Sequence, residues 1–281
     1  MNQQVKNWIA RDPDPKTRQE LEELLKNGDQ DELKRRFHGR LAFGTAGLRG
    51  VIGAGPARMN QLVVRETTAG LASYLLKTVP GCSERGVVVA YDGRHGSYTF
   101  AHDAASVLAA FGFKVHLSTQ TMPTPVAAYA VRYFGAAAGI MVTASHNPGN
   151  FNGFKIIVQG QVLSGEMLQL LKPIMIVENF TRGGGEYFSR LVIPQYVRQI
   201  FEDIGIVREF KVVVDGANSV SGPVAVEMFE SLGCDVVPLY CDIDGAFPNH
   251  EPNPSDEFNL LDLRARVASE DADLGFAFDG D

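Results

Sequence analysis

Gly139-Ile140-Met141-Val142-Thr143-Ala144-Ser145-His146-Asn147-Pro148 is the stretch around which the chain is organised. From Ala136 to Val142 the residues are small or apolar and uncharged, the pattern of a strand covered on both faces. The apolar run stops at Thr143, and Asn147-Pro148-Gly149-Asn150 is dense turn chemistry. A hydroxyl (Ser145) and an imidazole (His146) thus lie just beyond the carboxyl end of a buried strand, where open α/β sheets place their ligands. For those two residues alone, a turn that happens to carry Ser and His is the plainer account.

The surrounding pattern alternates strands and helices. Upstream, Gly86 to Ala90 reads as a buried strand ending in Tyr91-Asp92-Gly93-Arg94-His95. A helix follows from Tyr98 to Phe111, closed by Gly112, then a strand from Lys114 to Leu117. Thr124-Pro125 suits the N-cap and first turn of another helix, closed by Gly135. This order predicts a parallel sheet with right-handed crossovers, with the Ser145 strand as its next member. Farther upstream, Val5 to Phe37 is charged and helical in pattern, broken at Asp12-Pro13-Asp14-Pro15 and at Asn27-Gly28. It predicts a helical hairpin on the outside of the main domain. Leu41 to Gly55 reads as a glycine-rich loop in which Arg49 could meet an anion, and Asn60 caps a helix reaching Leu76.

Downstream, Lys155 to Val158 predicts a strand and Gln159-Gly160-Gln161 a tight turn, with Ser164 capping a short helix to Leu171. Pro173 to Phe188 reads as a surface loop, and Pro194 to Ile204 as a linking helix. A second α/β unit starts with a strand from Lys211 to Val214 and the loop Asp215-Gly216-Ala217-Asn218-Ser219. It continues with a helix from Pro223 to Gly233, a strand from Asp235 to Leu239, a helix from Asn259 to Ser269 and a strand from Leu274 to Phe278. Asp242 and Asp244 are an acidic pair without the terminal glutamate of an EF-hand loop.

The chain has 281 residues, 45% of them hydrophobic, enough for two ordinary cores. A net charge of -7 argues against nucleic acid or an anionic membrane as the main partner. Three cysteines with no ligand-like spacing predict neither a disulfide framework nor a zinc site. No apolar run approaches the ~20 residues that span a bilayer, and the first residues lack a signal-peptide core.

Thr143-Ala144-Ser145-His146-Asn147-Pro148 resembles the phosphoserine signature of the α-D-phosphohexomutase family, which includes the phosphoglucomutases and phosphomannomutases. Phe43-Gly44-Thr45-Ala46-Gly47-Leu48-Arg49-Gly50 resembles that family's opening motif, and Asn152-Gly153-Phe154-Lys155 the stretch after the serine. Phe278-Asp279-Gly280-Asp281 resembles the start of its metal loop. The resemblance runs from about Trp8 to the last residue, and the helical extension is most like the phosphoglucomutase/phosphopentomutase branch.

The resemblance implies an α/β fold of mixed, largely parallel sheets with helices on both faces. Its parts would be a helical extension (1–40), domain 1 with the phosphoserine loop (41–203) and domain 2 ending in the metal loop (204–281). It implies a cytoplasmic, magnesium-dependent enzyme that interconverts hexose 1-phosphate and 6-phosphate, or pentose 1- and 5-phosphate. A sugar 1,6-bisphosphate would be intermediate and activator, and sugar phosphates the partners; the oligomeric state stays open. Ser145 would carry the phosphoryl group, with Lys155 as general base or acid and His146 as second proton handler or orienting group. Arg49, Asn147, Arg94 and His95 fall on the phosphate side, Arg94 and His95 mainly as supports of the serine loop. Asp279, Asp281 and phosphorylated Ser145 would hold the metal. The sugar- and phosphate-recognition motifs of the family's third and fourth domains do not occur, nor do the third metal aspartate and the arginine after it. The expectation is the N-terminal portion of a mutase, inactive by itself. The alternatives are a short non-catalytic phosphate- or protein-binding paralogue and a phosphatase using Ser145.

Overall fold

Two strands without a single charged residue, VVVAY and AGIMV, form the middle of the larger sheet. They are β3 (Val87–Tyr91) and β5 (Ala138–Val142), parallel partners buried at every residue. The computed structural model describes residues 1–44, 47–158, 160–163, 186–204 and 209–281. Around the central pair lie β1 (Phe43–Gly44), β2 (Gly47–Val51), β4 (Val115–Ser118), β6 (Phe151–Val158), β7 (Gln161–Val162) and β8 (Tyr187–Arg190). The order is β1-β2-β6-β5-β3-β4-β8, with β7 pairing with β6. β4 is parallel to β3 and β8, whereas β6 is antiparallel to β2 and β5, so the sheet is mixed.

Alternation along the strands sends Val87, Val89, Ile140, Val142, Phe154 and Ile156 to one face and Val88, Ala90, Met141 and Ile157 to the other. The first face is covered by α4 (Gln61–Thr78), the short α5 (Cys82–Arg85) and α6 (Ser97–Ala110), the second by α7 (Thr124–Tyr133) and α8 (Ile193–Asp203). Asn60 caps α4 as expected, accepting from the Val63 N–H at 3.0 Å.

The N-terminal helices α1 (Asn2–Arg11), α2 (Pro15–Asn27) and α3 (Gln30–Phe37) insert Val5, Trp8, Leu21, Leu33 and Phe37 into the first core. Fully buried Glu66 of α4 pairs with Arg11 and Arg40, tying this part down by charge as well.

The second unit is a parallel sheet, β10-β9-β11, made of β9 (Lys211–Asp215), β10 (Asp235–Leu239) and β11 (Leu274–Ala277). Ala225, Val226 and Phe229 of α9 (Ser221–Ser231) pack on Val212 and Val214. α10 (Leu261–Ser269) lies close over Gly275, where a Cβ would come within 2.7 Å of Val267.

Several elements differ from the sequence expectation. The glycine-rich segment after Leu41 contains β1 and β2, so Arg49 stands on a strand rather than in a loop. Gly47 stands there because the strands approach closely: a Cβ on it would overlap the Phe154 carbonyl of β6. β6 begins at Phe151, ahead of the expected Lys155, because its first residues pair with β2. β8 falls partly within the expected surface loop, its Phe188 facing His116 with ring centroids 5.9 Å apart. Gln161 opens β7 rather than ending a turn. Thr124 is the first helical residue of α7 and not its cap. The helix expected after Ser164 and most of the loop after Pro173 lie outside the described residues.

Because Leu21 is wholly buried in the shared core, Leu21→Ala should destabilise the protein by about 2–5 kcal/mol in a single urea transition. A cost below about 1 kcal/mol would mean that the helices are a detachable appendage. Two buried groups set opposing pH dependences. Burial, with Arg190 and Lys114 nearby, pushes His116 from 6.5 down to about 4, so stability is lost as pH falls through that window. Burial pushes Asp92 from 3.8 up to about 6, against the pull of Ser97 and Arg94, so stability is lost as pH rises through its window. Relative to the unmodified protein, His116→Gln should therefore gain up to about 2 kcal/mol between about pH 6.5 and 4.5, and Asp92→Asn should show the reverse trend. Urea midpoints with identical pH slopes in all three proteins would contradict this.

Candidate active site

The carboxyl end of β5 delivers the serine. Thr143 accepts the Ser145 N–H through its hydroxyl at 2.9 Å, and the Asn147 N–H returns to the Ala144 carbonyl at 3.2 Å. The turn is tight enough that Ser145 takes φ 57°, the left-handed region that a residue with a Cβ enters at a cost of about 1–2 kcal/mol. That conformation points the hydroxyl away from the strand and toward the second unit.

There Ser145 Oγ donates to the Asp279 carboxylate, 2.9 Å from Oδ1 and 3.1 Å from Oδ2. His146 Nδ1 lies 3.3 Å from Asp279 Oδ2. Asp279 and Asp281 follow β11, so both sheets present strand ends to one place. The Asp279 carbonyl accepts from Ser219 and Ser221 at 3.4 Å, which seats this loop on the turn after β9. Gly280 is required between the two aspartates because a Cβ there would overlap the Ser145 carbonyl.

Asp281 faces the other side of the loop. Lys155 Nζ is 2.7 Å from its Oδ2 and 2.9 Å from its Oδ1, and Thr124 Oγ1 donates to Oδ2 at 2.8 Å. Burial raises the pKa of Asp281, but the Lys155 charge and hydrogen bonds from Lys155, Thr124 and Thr143 outweigh it and hold the carboxyl below its usual range. Lys155 reaches this point from β6, opposite Met141 of β5. Arg49 of β2 is registered opposite Gly153, two residues before Lys155, and donates to the Asn147 side chain at 3.1 Å.

Arg94 lies beneath the loop, only 3% exposed. Its guanidinium donates to the carbonyls of Ser145, Asn147, Pro148 and Phe151, the last three at 2.6, 2.8 and 3.3 Å. Asp92 lies 3.3 Å from its Nε and also accepts from Ser97 at 2.6 Å. His95 is exposed, and its backbone carbonyl accepts from Asn152 at 3.0 Å. The structure thus gathers Ser145, His146, Asp279, Lys155 and Asp281, with Arg49 and Asn147 at the rim and Arg94 below.

Thr124 is the site residue that the sequence did not indicate. Helix-start chemistry already accounted for Thr-Pro, and only the tertiary fold brings its hydroxyl to Asp281. Among the described residues no three His, Cys, Asp or Glu side chains form a metal cluster. The donors at the serine are a hydroxyl and a carboxylate, hard oxygens that suit magnesium rather than zinc.

Residues 40–182 match phosphoglucomutase/phosphomannomutase, alpha/beta/alpha domain I, and residues 194–281 match domain II of the same family. The phosphomannomutase/phosphoglucomutase of Pseudomonas aeruginosa is 46% identical over 160 residues, 57% of this chain and 35% of that protein. The phosphopentomutase of Mus musculus is 30% identical over 299 residues, covering 96% of this chain, and so most of its N-terminal helices, and 48% of that protein. A solved phosphoglucomutase/phosphomannomutase family protein from Burkholderia thailandensis superposes with a TM-score of 0.78 at 37% identity, over 86% of this chain and 53% of that one. The chain therefore aligns with between about a third and a half of the length of these relatives. With both of its α/β units matched, this chain belongs to the phosphoglucomutase/phosphomannomutase family.

Proposed function

We propose that this chain carries the phosphoserine and metal-loop half of a cytoplasmic sugar-phosphate mutase, acting on a hexose or pentose 1-phosphate and its 6- or 5-phosphate isomer. The observation that carries the reading is the Ser145 hydroxyl of one unit on the Asp279 carboxylate of the other. Phosphoryl transfer demands alignment and charge neutralisation more than covalent machinery. In the direction that regenerates phosphoserine, Ser145 Oγ bonds to a phosphorus of the sugar bisphosphate while the bond from that phosphorus to the sugar oxygen breaks. The serine proton passes to His146, which stands beside Asp279, and the departing sugar oxygen takes a proton from the Lys155 ammonium. The reverse sequence, on the other hydroxyl of the sugar, completes the isomerisation. Arg49 meets the phosphoryl oxygens, and Arg94 fixes the loop through its backbone. The domains marked by family sugar- and phosphate-recognition motifs would be needed for turnover.

Asp279 and a phosphate on Ser145 would hold magnesium, with Asp281 adjoining. When bound, the ion supplies neutralisation of the transferring charge.

Two experiments test this reading. The full-length protein should convert hexose 1-phosphate to 6-phosphate when primed with the bisphosphate, and Ser145→Ala should lower kcat at least about a thousandfold with an unchanged melting temperature. Free phosphate as the sole product would make the protein a phosphatase, and full activity in the variant would remove Ser145 as carrier. Thr124→Val deletes the hydrogen bond that helps hold Asp281 beside Lys155. It should lower kcat roughly tenfold with little change in KM, whereas Thr124→Ser should restore it. Equal loss in both variants would show that Thr124 acts only through packing.

A further inference from the structure

The loop after β10 in the second unit, Asp242 to Phe247, has no role in the chemistry above, yet it is pressed against the turn that carries Arg94. A Cβ at Gly245 would come within 2.6 Å of the Gly93 carbonyl and 2.9 Å of the Arg94 Cα. A Cβ at Gly149, inside the serine loop, would come within 2.8 Å of the Gly245 carbonyl. Ile243 packs directly on Gly93. At the end of this loop the Phe247 ring covers the Arg94 guanidinium, with Cζ 4.8 Å from the ring centroid.

The backbone of Phe247 adopts φ 52°, a left-handed conformation that glycine enters freely and a bulky residue does not. Its N–H returns to the Asp244 carbonyl at 3.0 Å, while the Asp244 N–H and the Asp242 carbonyl are both held by Asn218 at 2.9 Å. The loop is over-determined on the side that faces the second unit. An aromatic side chain at a position suited to glycine points to a use for the ring itself.

We infer that Phe247 is a positioning residue for the serine loop, acting through Arg94. The guanidinium donates to four carbonyls of that loop. Water reaching it would compete for the same donors. The ring excludes water from one face and adds a cation–π attraction that strengthens on desolvation. Docking of the second unit would then deliver Asp279 to Ser145 and, at a separate point, lock the backbone that presents Ser145.

This inference rests on the reading of Ser145 as the phosphoryl carrier, but its test needs no catalysis, so the two can fail separately. Phe247→Gly removes the ring and relieves the backbone, and should leave the melting temperature unchanged. Hydrogen–deuterium exchange of the Ala144 to Asn147 amides should rise roughly tenfold. Phe247→Tyr should restore slow exchange, and Phe247→Gly should add nothing in an Arg94→Met background. In the full-length enzyme the same glycine variant should lower kcat more than it raises KM. Unchanged exchange at Ala144 to Asn147, an equal further increase in the Arg94→Met background, or faster exchange spread evenly through β5 and β9 would each overturn the inference.

Discussion

A buried guanidinium holding a row of backbone carbonyls is the interaction on which the site depends. The turn that exposes the Ser145 hydroxyl directs the carbonyls of Ser145, Asn147, Pro148 and Phe151 inward, away from water and from any ladder. Without Arg94, those of Ser145, Asn147 and Phe151 would carry the penalty of a buried polar group, while that of Pro148 also accepts from the Phe151 N–H at 3.0 Å. Arg94 satisfies all four, and its own buried charge is compensated by Asp92 beside it and Phe247 over it. Burial lowers the pKa of Arg94 and raises that of Asp92, so this pair lies under strain of desolvation that only correct packing of the surrounding turns can offset. The Ser145 hydroxyl is thus presented by a charge that acts through the backbone alone.

The electrostatics divide into two groups on either side of Gly280. Asp279 accepts from the serine hydroxyl and lies near an exposed imidazole, whereas Asp281 is buried on Lys155 and Thr124. Two carboxylates two residues apart on one loop therefore start from different partners. Asp279 is held by the serine hydroxyl, and Asp281 by the lysine and threonine. Separating them in this way keeps the Lys155 charge on Asp281 and leaves Asp279 to the serine hydroxyl.

Much of this was legible because the information is local. Ser145, His146, Lys155, Asp279 and Asp281 fall in short strings at the ends of apolar runs, and strand periodicity places such strings at the carboxyl edge of a sheet. The order of elements, the Asn60 cap and the helix-ending glycines are likewise local chemistry. What escaped was set by tertiary contact. Thr124 meets Asp281 across 157 residues of sequence, and its Thr-Pro context already had a sufficient local explanation. β2 resembles a loop in sequence because Gly47 answers to the Phe154 backbone and Gly50 to the Leu41 side chain rather than to a turn. Phe247 occupies a backbone position where glycine is the natural choice, and nothing in its neighbourhood announces Arg94.

The claim that matters most is that strand ends from two separate sheets make one phosphoryl-transfer centre. Electron paramagnetic resonance of Mn²⁺ added to protein phosphorylated on Ser145 tests it directly. The account predicts a phosphorus hyperfine coupling at the metal that disappears in Asp279→Asn. Metal bound with no such coupling, or a coupling indifferent to Asp279, would contradict it.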